Sequence, residues 1–101
     1  MTETRTGIGF DIHRFQAGRP LILGGVNIPF EFGLAGHSDA DVLLHAITDA
    51  VLGTIGIGDI GMLFPDTDPA YKNVDSRKLL RTAMNHLRSN GGEVTWVDAN
   101  V

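Results

Sequence analysis

The sequence predicts a small α+β domain in which a mixed sheet packs against helices. Strand-like and helix-like patterns follow one another in the order strand, β-hairpin, helix, helix and strand, without the regular alternation of a doubly wound fold. The chain has 101 residues and 43% of them are hydrophobic, which suits one folded domain with a single modest core. We therefore treat residues 1–101 as one domain.

The strands predicted at the two ends of the chain have different signatures. Within residues 7–13, the apolar side chains of Ile8, Phe10 and Ile12 alternate with small or polar residues, and a period of two is typical of a strand. The last segment, residues 93–101, is rich in Val and Thr and also predicts a strand. A sheet edge at that end needs a partner strand or a neighbouring subunit.

A β-hairpin is predicted after the first strand. Two short apolar runs, 21–23 and 26–30, flank the pair Gly24-Gly25, and this arrangement is typical of a hairpin. Pro29 restricts the second run to a sheet edge or to the end of its strand.

Two helices are predicted in the second half of the chain. Apolar residues keep helical spacing over about 39–55, where Ser38 or Asp39 can cap the N-terminus. The same spacing recurs over 76–90, with Asp75 as the expected N-cap. A long acidic loop joins the helices, and loops of this length in small domains are usually functional or mobile.

Composition excludes several functional classes. Eight Lys and Arg against twelve Asp and Glu give a net charge of −4, which lacks the basic footprint of a nucleic-acid-binding protein. The chain contains no Cys, so disulfides and thiolate chemistry are excluded. No apolar run approaches the ~20 residues of a membrane span, and the N-terminus shows no signal or transit peptide. We therefore expect a cytoplasmic protein without a nucleic-acid or membrane partner.

Asp11, His13 and His45 are candidate metal ligands. Asp11 and His13 are two residues apart in a predicted strand and so project from the same face, a spacing that suits two ligands of one ion. His45 adds a second imidazole from the first helix. Three protein ligands with an open fourth position is the arrangement of a catalytic zinc site. The alternative is a polar strand face beside a histidine packed in the core.

Two carboxylates share a helix face with His45. Asp41 and Asp49 lie four residues before and after it, at positions where a carboxylate can orient a metal-bound imidazole. His37 and Ser38 precede the helix, and a helix N-terminus favours phosphate binding, although simple capping by Ser38 explains that residue equally well.

The acidic loop carries candidate ligands for a polyol. The loop contains the pattern G-x-G-x-x-G of dinucleotide-binding sites, in Gly56-Ile-Gly58-Asp-Ile-Gly61. This pattern follows a predicted helix rather than a strand, so we reject a dinucleotide-binding site. Asp59, a carboxylate among glycines, can accept hydrogen bonds from sugar or polyol hydroxyls. The acidic run over 64–68 can line the same pocket or form an Asp/Pro turn.

These motifs occur in one order along the chain: Gly9-Phe-Asp-Ile-His13, Leu23-Gly-Gly-Val26, Gly36-His-Ser-Asp-Ala-Asp41 with Leu44-His45, Gly58-Asp-Ile-Gly61, Leu63-Phe-Pro-Asp-Thr-Asp68 and Asp75-Ser-Arg77. Together they closely resemble the 2-C-methyl-D-erythritol 2,4-cyclodiphosphate synthase family, over essentially the whole chain from residue 7 to 101. The resemblance implies a lyase of the non-mevalonate isoprenoid (terpenoid) pathway. Such an enzyme cyclises 4-diphosphocytidyl-2-C-methyl-D-erythritol 2-phosphate to 2-C-methyl-D-erythritol 2,4-cyclodiphosphate and releases CMP.

The resemblance also implies the site and the assembly. One zinc ion per subunit would be bound by Asp11, His13 and His45, and His37 would be the catalytic residue near the reacting phosphates. The subunit would form a homotrimer with active sites between adjacent subunits. The implied substrate-binding residues are Asp11, Ile12, His13, His37, Ser38, Asp59, Ile60, Gly61, Phe64, Pro65, Asp66, Thr67 and Asp68.

The chain is shorter than members of that family. We therefore expect it to be the N-terminal portion of the family domain, lacking the cytidine-binding loop and the ligand of a second divalent ion, usually magnesium. The alternative to the enzyme is a truncated, zinc-binding, trimer-forming module without catalytic activity. A generic zinc hydrolase with Asp59 as general base is a third hypothesis.

Overall fold

Two long helices packed against each other form the main core of the protein. A computed structural model describes residues 3–101. In chain order, the elements are β1 (Phe15–Ala17), β2 (Leu21–Leu23), β3 (Val26–Ile28), β4 (Phe32–Leu34), α1 (Val42–Ile55), α2 (Ile60–Leu63), a 3-10 turn (Pro69–Tyr71) and α3 (Ser76–Ser89). Strands and helices are both present, so the predicted α+β class is confirmed.

The core has two parts. Val51 and Leu52 of α1 pack against Ala83 and Leu87 of α3, and all four side chains are buried. This packing buries the apolar stripes whose helical spacing predicted both helices. A second, smaller cluster contains Leu21, Leu34 and Ala40, and it joins the strands to the chain that enters α1.

The strands form two separate antiparallel pairs instead of one mixed sheet. β2 pairs with β3 as the predicted hairpin, in the register Leu21 to Ile28. Gly24 and Gly25 both have positive φ, at 63° and 78°, which a two-residue turn of this kind requires and glycine readily adopts. β1 pairs with β4, and this pairing was not predicted because each strand has only three residues.

A buried carboxylate connects the hairpin to α1. Asp41 is fully buried, and its Oδ1 accepts hydrogen bonds from the backbone N–H groups of Leu44 and Gly24, both at 3.0 Å. Its Oδ2 accepts the N–H of Gly25 at 2.7 Å. Asp41 is therefore the N-cap of α1, where Ser38 or Asp39 was expected. The helix begins late because Ala40 has a φ of 59°, a left-handed conformation that cannot lie within a right-handed helix.

The second helix follows the prediction closely. α3 spans Ser76–Ser89, and the side chain of Asp75 accepts the N–H of Arg77, so the predicted N-cap is confirmed. The preceding loop is more structured than expected, since it contains α2 and the 3-10 turn, capped by Asp59 and Asp68 respectively. Among the described residues, no helix combines the length and apolarity needed to cross a membrane.

The two terminal strands were predicted wrongly. Residues 7–13 are extended but belong to neither sheet, and the exposed fractions of Ile8 and Phe10 are 90% and 82%. Residues 93–101 have no regular structure, and Trp96 is 84% exposed. Alternating apolar residues and a high Val content indicate that a segment can form a β-strand. A strand also requires a neighbouring strand, and residues 3–101 supply none for either segment.

The ion pair at the start of α3 makes stability depend on pH. The side-chain hydrogen bond from Arg77 and its backbone N–H lower the pKa of Asp75 from 3.8 to about 2. Because the pKa is lower in the folded state, the contribution of Asp75 is present above pH 3.8 and is lost as the pH falls toward about 2.

Asp75→Asn keeps a capping side chain but removes the charge. We expect this variant to be less stable than the wild type at neutral pH, with the difference disappearing as the pH falls toward about 2. Urea unfolding at a series of pH values measures this difference. A difference that stays constant down to pH 2 would contradict the assignment.

Candidate metal centre

The N-terminal segment lies directly against the backbone of α1. A Cβ atom placed on Gly9 would be 1.7 Å from the carbonyl oxygen of Ala46, and one on Gly7 would be 2.0 Å from that of Ala50. Both positions therefore require glycine, because any side chain would separate the two backbones. This close approach carries Asp11 and His13 to the side of α1 that bears His45.

The three predicted ligands come together at this point. Asp11 Oδ2 lies 2.9 Å from His13 Nε2 and 3.1 Å from His45 Nδ1. One potential ligand atom from each residue lies within 4.8 Å of the others, with His45 buried and Asp11 and His13 half-buried. The sequence spacing predicted the group of residues correctly, although Asp11 and His13 project from an extended segment rather than from a strand.

The protonation of His13 follows from its other ring nitrogen. Nδ1 lies 2.6 Å from the carbonyl oxygen of Ala35, which can only accept a hydrogen bond, so Nδ1 carries a proton. In the neutral ring, Nε2 then has a lone pair, and that lone pair faces the carboxylate of Asp11. Two lone pairs that face each other repel, and a cation between them removes the repulsion. The neutral group is therefore arranged to hold a cation.

The carboxylate of Asp11 is ionised at neutral pH. Burial raises its pKa, but the hydrogen bond with His45 and the charges of His13 and His45 outweigh that effect and leave the pKa below 3.8. Its second oxygen, Oδ1, accepts the backbone N–H of Ile12 at 2.9 Å, which fixes the orientation of the group. An ionised and oriented carboxylate is suited to be a metal ligand.

His45 is oriented by hydroxyl groups and not by the two aspartates on its helix face. Its Nε2 lies 2.8 Å from Ser76 Oγ and 3.2 Å from Ser38 Oγ. The expected contacts with Asp41 and Asp49 are wrong. Asp41 bonds the β2–β3 turn, and Asp49 Oδ1 accepts the N–H of Ile60 at 2.7 Å. Helical spacing placed both carboxylates on the face of His45, but both accept hydrogen bonds from backbone N–H groups of neighbouring loops.

His37 and Ser38 lie in a loop that enters the site. Arg19 donates hydrogen bonds to the carbonyl oxygens of Gly36 at 3.0 Å and Ser38 at 2.8 Å, and so holds this loop in place. His37 Nε2 donates to the carbonyl of Asp68 at 2.8 Å, which connects the loop to the acidic segment. The roles of Arg19 and Ser76 were missed because neither belongs to a local spacing pattern.

The acidic segment has mainly structural contacts. Asp59 Oδ1 accepts the N–H of Met62 at 2.9 Å, and Asp68 Oδ1 accepts that of Ala70 at 2.9 Å, so both aspartates cap short turns. The rings of Phe64 and Tyr71 pack edge to face at 5.4 Å. The contacts of Phe64 and Asp68 favour the turn interpretation of residues 64–68. The cap at Met62 uses one carboxylate oxygen of Asp59, so the second can accept hydrogen bonds from other groups.

Asp49 couples the acidic segment to the metal centre. Burial raises the pKa of Asp49, the hydrogen bond from Ile60 lowers it, and the negative charges of Asp59 and Asp11 raise it further. The net pKa is higher than 3.8. The start of α2 and the predicted ligands are therefore close enough to share one electrostatic environment.

Gly9→Ala tests the close approach on which the centre depends. The new Cβ would overlap the carbonyl of Ala46, so the segment must move and the three ligands must separate. We expect weaker binding of Co²⁺, by about tenfold or more, and a lower melting temperature.

Gly53→Ala is the matched control, because Gly53 is an exposed residue of the same helix with no atom within 4 Å of the added Cβ. We expect it to stabilise the protein by about 0.5–1 kcal/mol and to leave the Co²⁺ affinity unchanged. Titration of Co²⁺ absorbance reports both variants. Equal affinities for Gly9→Ala and the wild type would show that the approach does not position the ligands.

Relatives of this chain share its sequence over nearly all of its length. The YgbB family matches residues 4–101. A protein of Bordetella petrii named 2-C-methyl-D-erythritol 2,4-cyclodiphosphate synthase is 61% identical over 97 residues, which are 96% of this chain and 60% of that protein. The chain thus spans about 60% of the length of the curated relatives that it matches.

Solved structures share the fold as well. A structure of 2C-methyl-D-erythritol-2,4-cyclodiphosphate synthase is 49% identical with a TM-score of 0.81, covering 86% of this chain and 58% of that one. A second structure of a synthase of this name, in a form bound to CDP, has a TM-score of 0.80 at the same identity and coverage. The chain therefore belongs to the YgbB family, the family of its relatives named 2-C-methyl-D-erythritol 2,4-cyclodiphosphate synthase.

Proposed function

We propose that this chain carries the metal-binding part of a 2-C-methyl-D-erythritol 2,4-cyclodiphosphate synthase. This enzyme is a phosphorus–oxygen lyase that cyclises 4-diphosphocytidyl-2-C-methyl-D-erythritol 2-phosphate and releases CMP. The observation that carries the proposal is the convergence of His13 Nε2 and His45 Nδ1 on one oxygen of Asp11, in a chain of this family.

The donor set fits zinc. Two imidazole nitrogens and one carboxylate oxygen are ligands that zinc accepts, and three protein ligands leave a position for a substrate oxygen. His13 is held in the required tautomer by the carbonyl of Ala35, the kind of outer contact that metal-binding histidines have. When bound, one zinc ion per subunit would supply Lewis acidity and a template for phosphate oxygens.

His37 is proposed as the catalytic residue. Its Nε2 hydrogen bond to Asp68 fixes the ring, so Nδ1 is the atom left to hold a proton. A proton on Nδ1 makes the ring a cation, which stabilises negative charge that develops on the reacting phosphates. Ser38 adds a hydroxyl at the same loop, buried beside His45.

The polyol end of the substrate is assigned to the acidic segment. Asp59 uses one carboxylate oxygen to cap α2, and its second oxygen can accept hydrogen bonds from the methylerythritol hydroxyls. Asp49 holds the N–H of Ile60 and so fixes Ile60 and Gly61 beside Asp59. The rest of the proposed substrate contacts come from Ile12, Phe64, Pro65, Asp66, Thr67 and Asp68.

The reaction needs positioning more than covalent help. An oxygen of the 2-phosphate forms a bond to the β-phosphorus, the bond from that phosphorus to the CMP oxygen breaks, and CMP leaves with the electron pair. Both reacting groups belong to one molecule, so the protein must fold the substrate into attack geometry and neutralise the phosphates. His37 serves the second task together with the ion that the metal ligands would hold, and Asp59 serves the first.

The proposed enzyme is a cytoplasmic homotrimer with a second divalent ion, magnesium. The exposed apolar side chains of Ile8, Phe10 and Ile12 support the proposal that further protein covers this face, whether a neighbouring subunit or the rest of the family domain. The alternative function is a zinc-binding, trimer-forming module without activity, which the same three assembled residues would support.

His45→Ala tests the catalytic proposal. Loss of one of three ligands is expected to abolish zinc binding and CMP release, measured by metal analysis and by chromatography of the nucleotide product. His86→Ala is the matched control, because His86 is an exposed histidine near the end of α3, and we expect it to bind zinc and turn over normally. Normal turnover in His45→Ala would contradict the proposal.

Native mass spectrometry separates the enzyme from the alternative. We expect trimers, as the family assignment implies. We also expect about one zinc per chain, because three ligands are assembled within each subunit. Metal-loaded trimers that release no CMP, with substrate and magnesium present, would favour the inactive module. Monomers that carry no zinc would contradict both hypotheses.

A further inference from the structure

A chain of buried and half-buried polar groups lies behind His45, on the side of the ring opposite Asp11. It runs from Asp39 to Ser76 and on to His45 Nε2. We propose that Asp39 and Ser76 are positioning residues which fix His45 as the Nε2–H tautomer and thereby present the Nδ1 lone pair to the metal. This inference rests on the metal site proposed above, and its tests read the proton position on each histidine separately from activity.

Asp39 holds Ser76 by two hydrogen bonds. The backbone N–H of Ser76 donates to Asp39 Oδ2 at 3.0 Å, and the Ser76 hydroxyl donates to Asp39 Oδ1. A carboxylate can only accept, so the hydroxyl proton of Ser76 is directed to Asp39. Ser76 is fully buried at the first position of α3, which leaves this hydroxyl no solvent partner.

The remaining contact of Ser76 then fixes the proton on His45. With its own proton directed to Asp39, Ser76 Oγ can only accept a hydrogen bond from His45 Nε2, 2.8 Å away. That bond requires a proton on Nε2. A proton on Nε2 leaves the lone pair of Nδ1 for a metal ion, and Nδ1 is the nitrogen 3.1 Å from Asp11 Oδ2.

Ser38 is the one competing hydroxyl next to this nitrogen among the described residues. If Ser38 donated to Nε2, the opposite tautomer would result. Its oxygen is farther away, at 3.2 Å, and already accepts the N–H of Ala40 at 3.1 Å. The charge of Asp39, acting through the shorter contact to Ser76, favours the Nε2–H form, and a metal ion between Asp11 and Nδ1 would remove the competing attraction of Asp11 for a proton on Nδ1.

Backbone hydrogen bonds hold Asp39, Ser76 and His45, which we call the relay, in position without the metal. The N–H of Asp39 donates to the carbonyl of Val74 at 3.0 Å, and that of Asn73 donates to the carbonyl of His37 at 2.7 Å. The left-handed residue Ala40 turns the chain between Asp39 and Asp41, so that one carboxylate faces Ser76 and the other faces the β2–β3 turn. The relay is thus built into the loop that leads to α1.

The two histidines are oriented by different means. A backbone carbonyl orients His13, and no substitution of Ala35 removes it. Side chains orient His45, so single substitutions can remove its support while all three ligands stay in place. This asymmetry makes the proposal testable by mutation.

The first experiment is long-range ¹H–¹⁵N correlation NMR on the wild-type chain loaded with Zn²⁺, in which Asp11 would no longer attract a proton to His45 Nδ1. We expect the His45 cross-peaks of an Nε2–H tautomer and the His13 cross-peaks of an Nδ1–H tautomer. An Nδ1–H tautomer at His45 would overturn the proposal, whatever the metal affinity proves to be.

The second experiment measures Co²⁺ and Zn²⁺ affinity. Ser76→Ala and Asp39→Asn are each expected to weaken binding by about 10–100-fold, with loss of the single His45 tautomer in the NMR spectrum. Thr48→Val is the control, because Thr48 is a fully buried residue on α1 whose hydroxyl, within residues 3–101, bonds only the carbonyl of Leu44. We expect it to leave affinity and tautomer unchanged.

The outcomes separate this inference from the proposed function. Wild-type affinity and an unchanged tautomer in Ser76→Ala would overturn the relay and leave the metal site standing. A wild-type protein that binds neither ion would overturn the metal site and, with it, this inference. If Ser76→Ala does not fold, the wild-type spectrum and Asp39→Asn decide the matter.

Discussion

The close approach of the N-terminal segment to α1 is the constraint on which the rest of the site depends. Gly7 and Gly9 have no side chains, so this segment can lie on the carbonyl groups of α1. A metal centre needs donors from distant parts of the chain within a few ångströms of each other, and this approach brings Asp11 and His13 to His45. Backbone contact replaces the sheet pairing that would ordinarily hold an extended segment in place.

Around that contact, the carboxylates have separate tasks. Asp11 faces the two imidazoles, Asp41 joins the hairpin to α1, and Asp49 fixes the start of α2. Asp39 supports the hydroxyl behind His45. Each of these groups is buried or half-buried, and each is matched with N–H or O–H donors, which is the condition for placing charge inside a small domain. The site is thus held by hydrogen bonds more than by apolar packing.

Several features could be predicted from the chain itself because they are local. The β2–β3 hairpin follows from a glycine pair between apolar runs, and α3 follows from a periodic stripe and the cap Asp75. The group Asp11, His13 and His45 could be named because residue type alone limits which side chains bind zinc. The strands at 7–13 and 93–101 failed because a strand needs a partner, and partner identity is not a local property.

The sequence by itself therefore determined the composition class, both long helices, the hairpin and the three residues that meet at the candidate metal centre. The tertiary structure alone decided the hydrogen-bond partners of those residues: Ala35 for His13, and Ser76 rather than Asp49 for His45. Spacing along a helix predicts that two side chains lie on one face. It does not predict whether one of them instead accepts a hydrogen bond from another loop, as Asp49 does from Ile60. Contacts across more than thirty residues, such as that between His45 and Ser76, depend on how the helices and loops pack.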